Sequence, residues 1–130
     1  MRVFLDTGYL YARIDARDQW HTDAERAAGT DEDSVTSSLV VNETVTLLQN
    51  RRMFSRALDF LHRIRNHPDV RVIHVDPVLQ AEAWALYGKW GASGATVVDC
   101  SSFAIMRSMG IRKAFTFDEH FRAAGFEILG

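Results

Sequence analysis

The chain has 130 residues, enough for one compact domain over residues 1–130, and its 47% hydrophobic content can supply a core. A net charge of -2 gives no overall basic field to advertise a nucleic-acid partner, although a local patch can suffice. A single cysteine, Cys100, excludes an intrachain disulfide and a Cys-rich zinc site; no apolar run approaches the ~20 residues that span a bilayer, and Met1-Arg2 leads into a run too short for a signal peptide. A soluble cytoplasmic protein is expected.

In chain order, Arg2 to Leu5 reads as a short buried strand, broken by Asp6-Thr7-Gly8. Tyr9, Leu10, Tyr11, Ala12 and Ile14 suggest a helix of a turn or two. A second helix is expected from about Trp20 to Gly29, followed by an acidic loop with Asp31, Glu32 and Asp33. Ser38 to Val41 reads as a second strand, and the pattern turns helical from Glu43. Ala57, Leu58, Leu61 and Ile64 mark another helix, ended before Pro68. Val70 to Val75 alternates like a strand; Pro77 suits the start of the next helix, and Gly88 to Gly94 reads as a loop. Thr96-x-x-Asp99 opens an apolar helix with a hydroxyl cap and an acid in its first turn, and Gly110 stops it. A strand over Ala114 to Phe117, a short helix over Asp118 to Ala123 and a last strand over Phe126 to Leu129 follow. Strands alternating with helices imply a three-layer α/β/α sandwich around a mostly parallel sheet.

Four acids sit where apolar runs stop or turn: Asp6, Glu43, Asp99 and Asp118. In a parallel α/β fold the carboxyl ends of the strands form one rim, where ligands bind. Carboxylates gathered there repel one another unless a cation neutralises them, and an oxygen-only set suits Mg²⁺ or Mn²⁺. This points to a metal-dependent enzyme acting on phosphate. For each acid taken alone, a cap or turn role is the commoner one, and Asp118 could simply cap the short helix after it. Asp15, Asp18 and Asp23 read as solvated acids; His21 and His120 either touch substrate or metal or, as the commoner case, are surface or half-buried residues. Cys100 reads as a small buried residue, and Trp84, Leu86 and Tyr87 as core or interface anchors.

Val3-Phe4-Leu5-Asp6-Thr7-Gly8, Asp18-Gln19-Trp20-His21, Asn42-Glu43-Thr44 and the long stretch from Thr96-Val97-Val98-Asp99 through Phe117-Asp118-Glu119-His120 to Gly125-Phe126 resemble, in this order, the PIN-domain family, in particular its VapC-type toxins. The resemblance covers nearly the whole chain. It implies a ribonuclease using Mg²⁺ or Mn²⁺, with Asp6, Glu43, Asp99 and Asp118 as metal ligands and catalytic residues. Thr7, Thr116 and Thr96 would orient ligands or water. It also implies a homodimer and an antitoxin partner, which often inserts an arginine into the acidic site. Arg51, Arg52, Arg56, Arg63 and Arg65 form either a solvated helix face or an RNA-binding rim. Trp20 and Trp90, beside polar loops, are either buried or stack an RNA base; Arg51, Arg52 and Trp90 are the substrate-binding candidates.

Other readings have weaker support. Asp6-Thr7-Gly8 is also the triplet of aspartic proteases, but those are nearly all β. A haloacid-dehalogenase-like phosphatase needs a second aspartate where Gly8 stands, and a receiver domain needs paired acids after the first strand. A non-cleaving PIN-like scaffold that binds RNA or protein, or a PIN nuclease that is not a toxin, remains an alternative.

Overall fold

The structure is a computed structural model that describes residues 2–28 and 33–129. Five parallel strands form one sheet in the order β3-β2-β1-β4-β5. They are β1 (Arg2–Leu5), β2 (Asp33–Ser37), β3 (Val70–Ile73), β4 (Lys113–Phe115) and β5 (Glu127–Leu129). The helices are α1 (Thr7–Ile14), α2 (His21–Ala27), α3 (Ser38–Asn50), α4 (Phe54–Asn66), α5 (Pro77–Trp90), α6 (Val97–Met109) and α7 (His120–Ala123). Helices α1 to α4 pack on one another and α5 packs along α6, giving the expected α/β/α layering. Parallel pairing requires a crossover between strands, and each helix or helix pair supplies one.

The central strand β1 is hydrophobic after Arg2 because it is covered on both faces, and Val3, Phe4 and Leu5 are all buried. Phe103, Phe115 and Phe121 are fully buried with Phe4, and the Phe103 and Phe121 rings meet edge to face at 5.0 Å. Cys100 is buried on the inner face of α6, as expected.

Three sequence expectations are corrected. The second strand is Asp33–Ser37, while Ser38–Val41 is the first turn of α3. Ser37 decides the boundary: its Oγ accepts from Val40 N at 3.1 Å, an N-cap that commits the following residues to helix. The strand before it is polar, yet Ser34, Thr36 and Ser37 are buried, and Thr36 donates its hydroxyl to the Leu5 carbonyl at 2.9 Å. Second, α5 runs on to Trp90, with a 3-10 turn over Gly91–Ser93, where a loop was expected from Gly88. Third, Asp15 is not a solvated acid: it is buried, accepts from the Tyr11 hydroxyl at 2.6 Å and from Arg17 N at 3.0 Å, and these bonds lower its pKa to about 2. Of the acidic loop, Asp31 and Glu32 lie outside the described residues, as does Gly29 before them. Asp33 opens β2 and pairs with Arg2 at 3.2 Å.

Candidate active site

The strand order places a topological switch beside β1: the chain moves from β1 to β2 and β3, then returns to its other side for β4. Ligand sites of parallel α/β folds form at the carboxyl ends of strands at such a point. Asp6 follows the last residue of β1, and its backbone N–H bonds the Phe115 carbonyl at the end of β4 at 3.1 Å. Thr116 and Asp118 continue from β4 on the same rim.

Asp6, Glu43, Asp99 and Asp118 line one pocket of about 310 Å³. Glu43 arrives from the second turn of α3 rather than from a strand end, because α3 starts five residues ahead of it. Asp99 arrives from the first turn of α6 in a complete capping box: Thr96 Oγ1 accepts from Asp99 N at 3.1 Å, and Thr96 N donates to Asp99 Oδ2 at 2.9 Å. Thr7, Gly8, Trp20, Leu47, Thr96 and Phe117 complete the lining.

Burial and mutual repulsion govern the acids. Burial, with smaller contributions from Asp99 and Glu43, raises the Asp6 pKa to about 7, opposed by the hydroxyl of Thr116, which donates to Asp6 Oδ2 at 2.7 Å. Burial likewise raises Asp99, aided by Asp118 and Glu43. Thr116 links two of the acids, since its Oγ1 also accepts from Asp118 N at 3.0 Å. Among the described residues no lysine or arginine forms an ion pair with Asp6, Glu43 or Asp99.

His120 is half-buried, one of the roles expected for it, and touches this site. Its Nδ1 lies 2.6 Å from Asp118 Oδ1 and its Nε2 lies 2.9 Å from the Ser93 carbonyl. The Ser93 carbonyl is an acceptor, so Nε2 donates to it, and the Ser93 carbonyl and Asp118 raise the His120 pKa. Asp99, Asp118 and His120 each place a ligating atom within 4.8 Å of the others. Both ring nitrogens of His120 are engaged in hydrogen bonds, so the carboxylates are the donors left for a cation.

The residues fit a divalent cation by two observations. The donor set at the pocket is oxygen only, suited to a hard ion. In addition, Thr7 Oγ1 is buried at this pocket without a hydrogen-bond partner, an oxygen left over by the protein's own bonding.

The other candidates lie elsewhere. Arg51 sits over the Tyr11 ring, 4.9 Å from its centroid, and Arg52 is exposed at the end of α3. Trp90 is half-buried under Lys89. None of the three lines the acidic pocket, whereas Trp20 does. His21 is turned away, its Nδ1 2.6 Å from the Ala12 carbonyl.

The sequence model of the PIN domain matches residues 3–127. The chain belongs to the PIN-domain family. PIN nucleases generally use divalent metals, in keeping with the oxygen donors gathered here. Among curated proteins, this PIN domain is 40% identical over 125 residues to the 23S rRNA-specific endonuclease VapC20 of Mycobacterium tuberculosis, covering 95% of each chain. The crystal structure of Mycobacterium tuberculosis VapC20, described as a sarcin–ricin loop cleaving toxin, superposes with a TM-score of 0.89 at 37% identity, covering 95% of both chains. FitAcB from Neisseria gonorrhoeae shares the fold at a TM-score of 0.69 and 17% identity, over 100% of this chain and 97% of that one.

Proposed function

We propose that the protein is a divalent-metal-dependent endoribonuclease, the toxin of a toxin–antitoxin pair, with 23S rRNA as its target. The observation that carries this reading is the convergence of Asp6, Glu43, Asp99 and Asp118 on one pocket, in a chain 40% identical to a 23S rRNA-specific endonuclease. A cytoplasmic location suits that target, and no described helix is long and apolar enough to cross a membrane.

Asp6 and Asp99 would hold the cation, with Glu43 and Asp118 beside them, and Mg²⁺ or Mn²⁺ suits the set. Once bound, such an ion supplies positive charge against phosphate oxygens and acidifies a water. The chain supplies orientation. The Thr116 hydroxyl fixes Asp6 Oδ2, the Thr96 amide fixes Asp99 Oδ2, and the His120 ring fixes Asp118 Oδ1. Hydrolysis breaks one P–O bond of the phosphodiester and adds the elements of water across it. Two sets of exposed apolar side chains, Phe54 and Leu58 on α4 and Val78, Trp84 and Tyr87 on α5, support docking of a second copy and of an antitoxin.

The test is to incubate purified protein with ribosomes, in Mg²⁺ or Mn²⁺ and in chelator, and to map new RNA 5′ ends. Discrete ends in 23S rRNA are expected with metal, and none in chelator or with Asp99→Asn. Identical ends from Asp99→Asn would remove the acids from the mechanism. Ribosome binding with no new ends would make the protein a scaffold.

A further inference from the structure

The acidic pocket has an aromatic wall. Trp20 and Phe117 lie parallel, with ring centroids 4.8 Å apart and planes 9° from each other, and both line the pocket with the four acids. Phe117 immediately precedes Asp118 in the chain, so the stack is tied to the site by one peptide bond. Trp20 is held from the other side: its backbone N–H bonds Asp18 Oδ2 at 3.0 Å as the chain turns into α2. Despite stacking on Phe117, Trp20 remains 40% exposed. A large apolar ring left in water beside four carboxylates does little for the core.

Among the described residues the pocket lining contains no lysine or arginine, so none of those lining it attracts phosphate by charge. What the walls offer an RNA strand is a flat π surface, to which any nucleobase can stack. Resting on the ribonuclease reading, we propose that Trp20, backed by Phe117, is a base shelf. It takes one unstacked nucleobase next to the scissile phosphate and thereby sets which phosphate reaches the acids. The partner is an RNA segment whose base is free of its own helix, as in a loop. A base in a continuous duplex has no free face to offer.

The probe is a sarcin–ricin stem–loop RNA of 23S rRNA, cleaved by the full chain with Mg²⁺ or Mn²⁺. Trp20→Ala is expected to raise KM roughly tenfold, within the range of one lost base stack, with kcat little changed. Trp20→Phe should stay near wild type. The decisive arm replaces, one at a time, the nucleotides flanking the mapped scissile bond with abasic residues. At one position the abasic RNA should raise the wild-type KM as Trp20→Ala does, and the two proteins should then bind it alike. A second measurement keeps the ring in place: in an Asp99→Asn background with Trp84→Phe and Trp90→Phe, the intact RNA should quench Trp20 fluorescence and that abasic RNA should not. An unchanged KM for Trp20→Ala, an equal penalty on intact and abasic RNA, or absent quenching would overturn the shelf while leaving the nuclease reading intact. A wild type that neither binds nor cuts the RNA would sink both.

Discussion

At the residue scale, the placement of Asp6 costs the fold stability. The residue is 5% exposed and its carboxyl faces other carboxylates, so its pKa rises from 3.8 to about 7 although it accepts the Thr116 hydroxyl. Without metal, the folded protein therefore binds a proton at Asp6 that the unfolded chain has already released above pH ~4. Stability falls as pH rises through the window from 3.8 to about 7, and the whole penalty is present above it. Asparagine removes the charge and keeps an oxygen for the Thr116 hydroxyl. In chelator at pH 8, Asp6→Asn is expected to be more stable than wild type by on the order of 2–4 kcal/mol. The gain should shrink towards zero by pH ~4, as read by urea unfolding across pH, while RNA cleavage is lost. Equal stability of the two proteins at pH 8 would mean that Asp6 is not held as described. This exchange of stability for a site is the kind expected at functional positions.

At the element scale, legibility in the sequence depended on whether a local signal spoke alone. Helix α6 was readable because Thr96, Asp99 and Gly110 are its cap, its first-turn acid and its left-handed stop, with Gly110 at φ 68°. Strand β1 was readable as an apolar run with no competing period. The boundary between β2 and α3 was misplaced because β-branched Val40 and Val41 suit a strand, whereas the true strand carries Ser34, Thr36 and Ser37. The missed signal is Val40, Thr44 and Leu48, all buried at a spacing of four, behind a serine cap. Asp15 is hard to read for a related reason: an acid at the end of a helix looks solvated in the sequence, whereas Tyr11, one turn earlier, bonds it. The Thr96 cap carries a prediction of its own. Thr96→Ala should cost about 1 kcal/mol of stability and lower cleavage by loosening Asp99, with Thr96→Ser restoring both. A loss of stability that serine fails to restore would place the role of Thr96 in its methyl group.

At the scale of the whole molecule, the acids converge because of strand order, and order is not written in any local motif. Asp6 and Asp118 share a rim because β1 and β4 are neighbours, although they are 112 positions apart in the chain. Asp99 is brought in by the first turn of α6 and Glu43 by the second turn of α3. The sequence suggested the four acids through their recurrence after apolar runs; pairing β1 with β4 is what makes them neighbours. It could not suggest that the His120 ring is fixed from both sides, since its second contact, to the Ser93 carbonyl, relies on the turn at Ser93 meeting α7. A molecule that gathers unneutralised carboxylates in this way should gain stability from a divalent ion. At about 100 times its dissociation constant, an ion binding only the folded state adds about 2.7 kcal/mol. On the proposed reading Asp6 gives up its proton to hold the ion, and with its pKa raised to about 7 the gain should be larger at pH 8 than at pH 6. Thermal unfolding with Mn²⁺ or Mg²⁺ against chelator is expected to show a rise of several degrees at pH 8. The rise should be smaller at pH 6 and absent in Asp99→Asn. An equal rise in wild type and Asp99→Asn would place the ion elsewhere on the surface. No rise at any pH would mean that four carboxylates can share this rim without a cation.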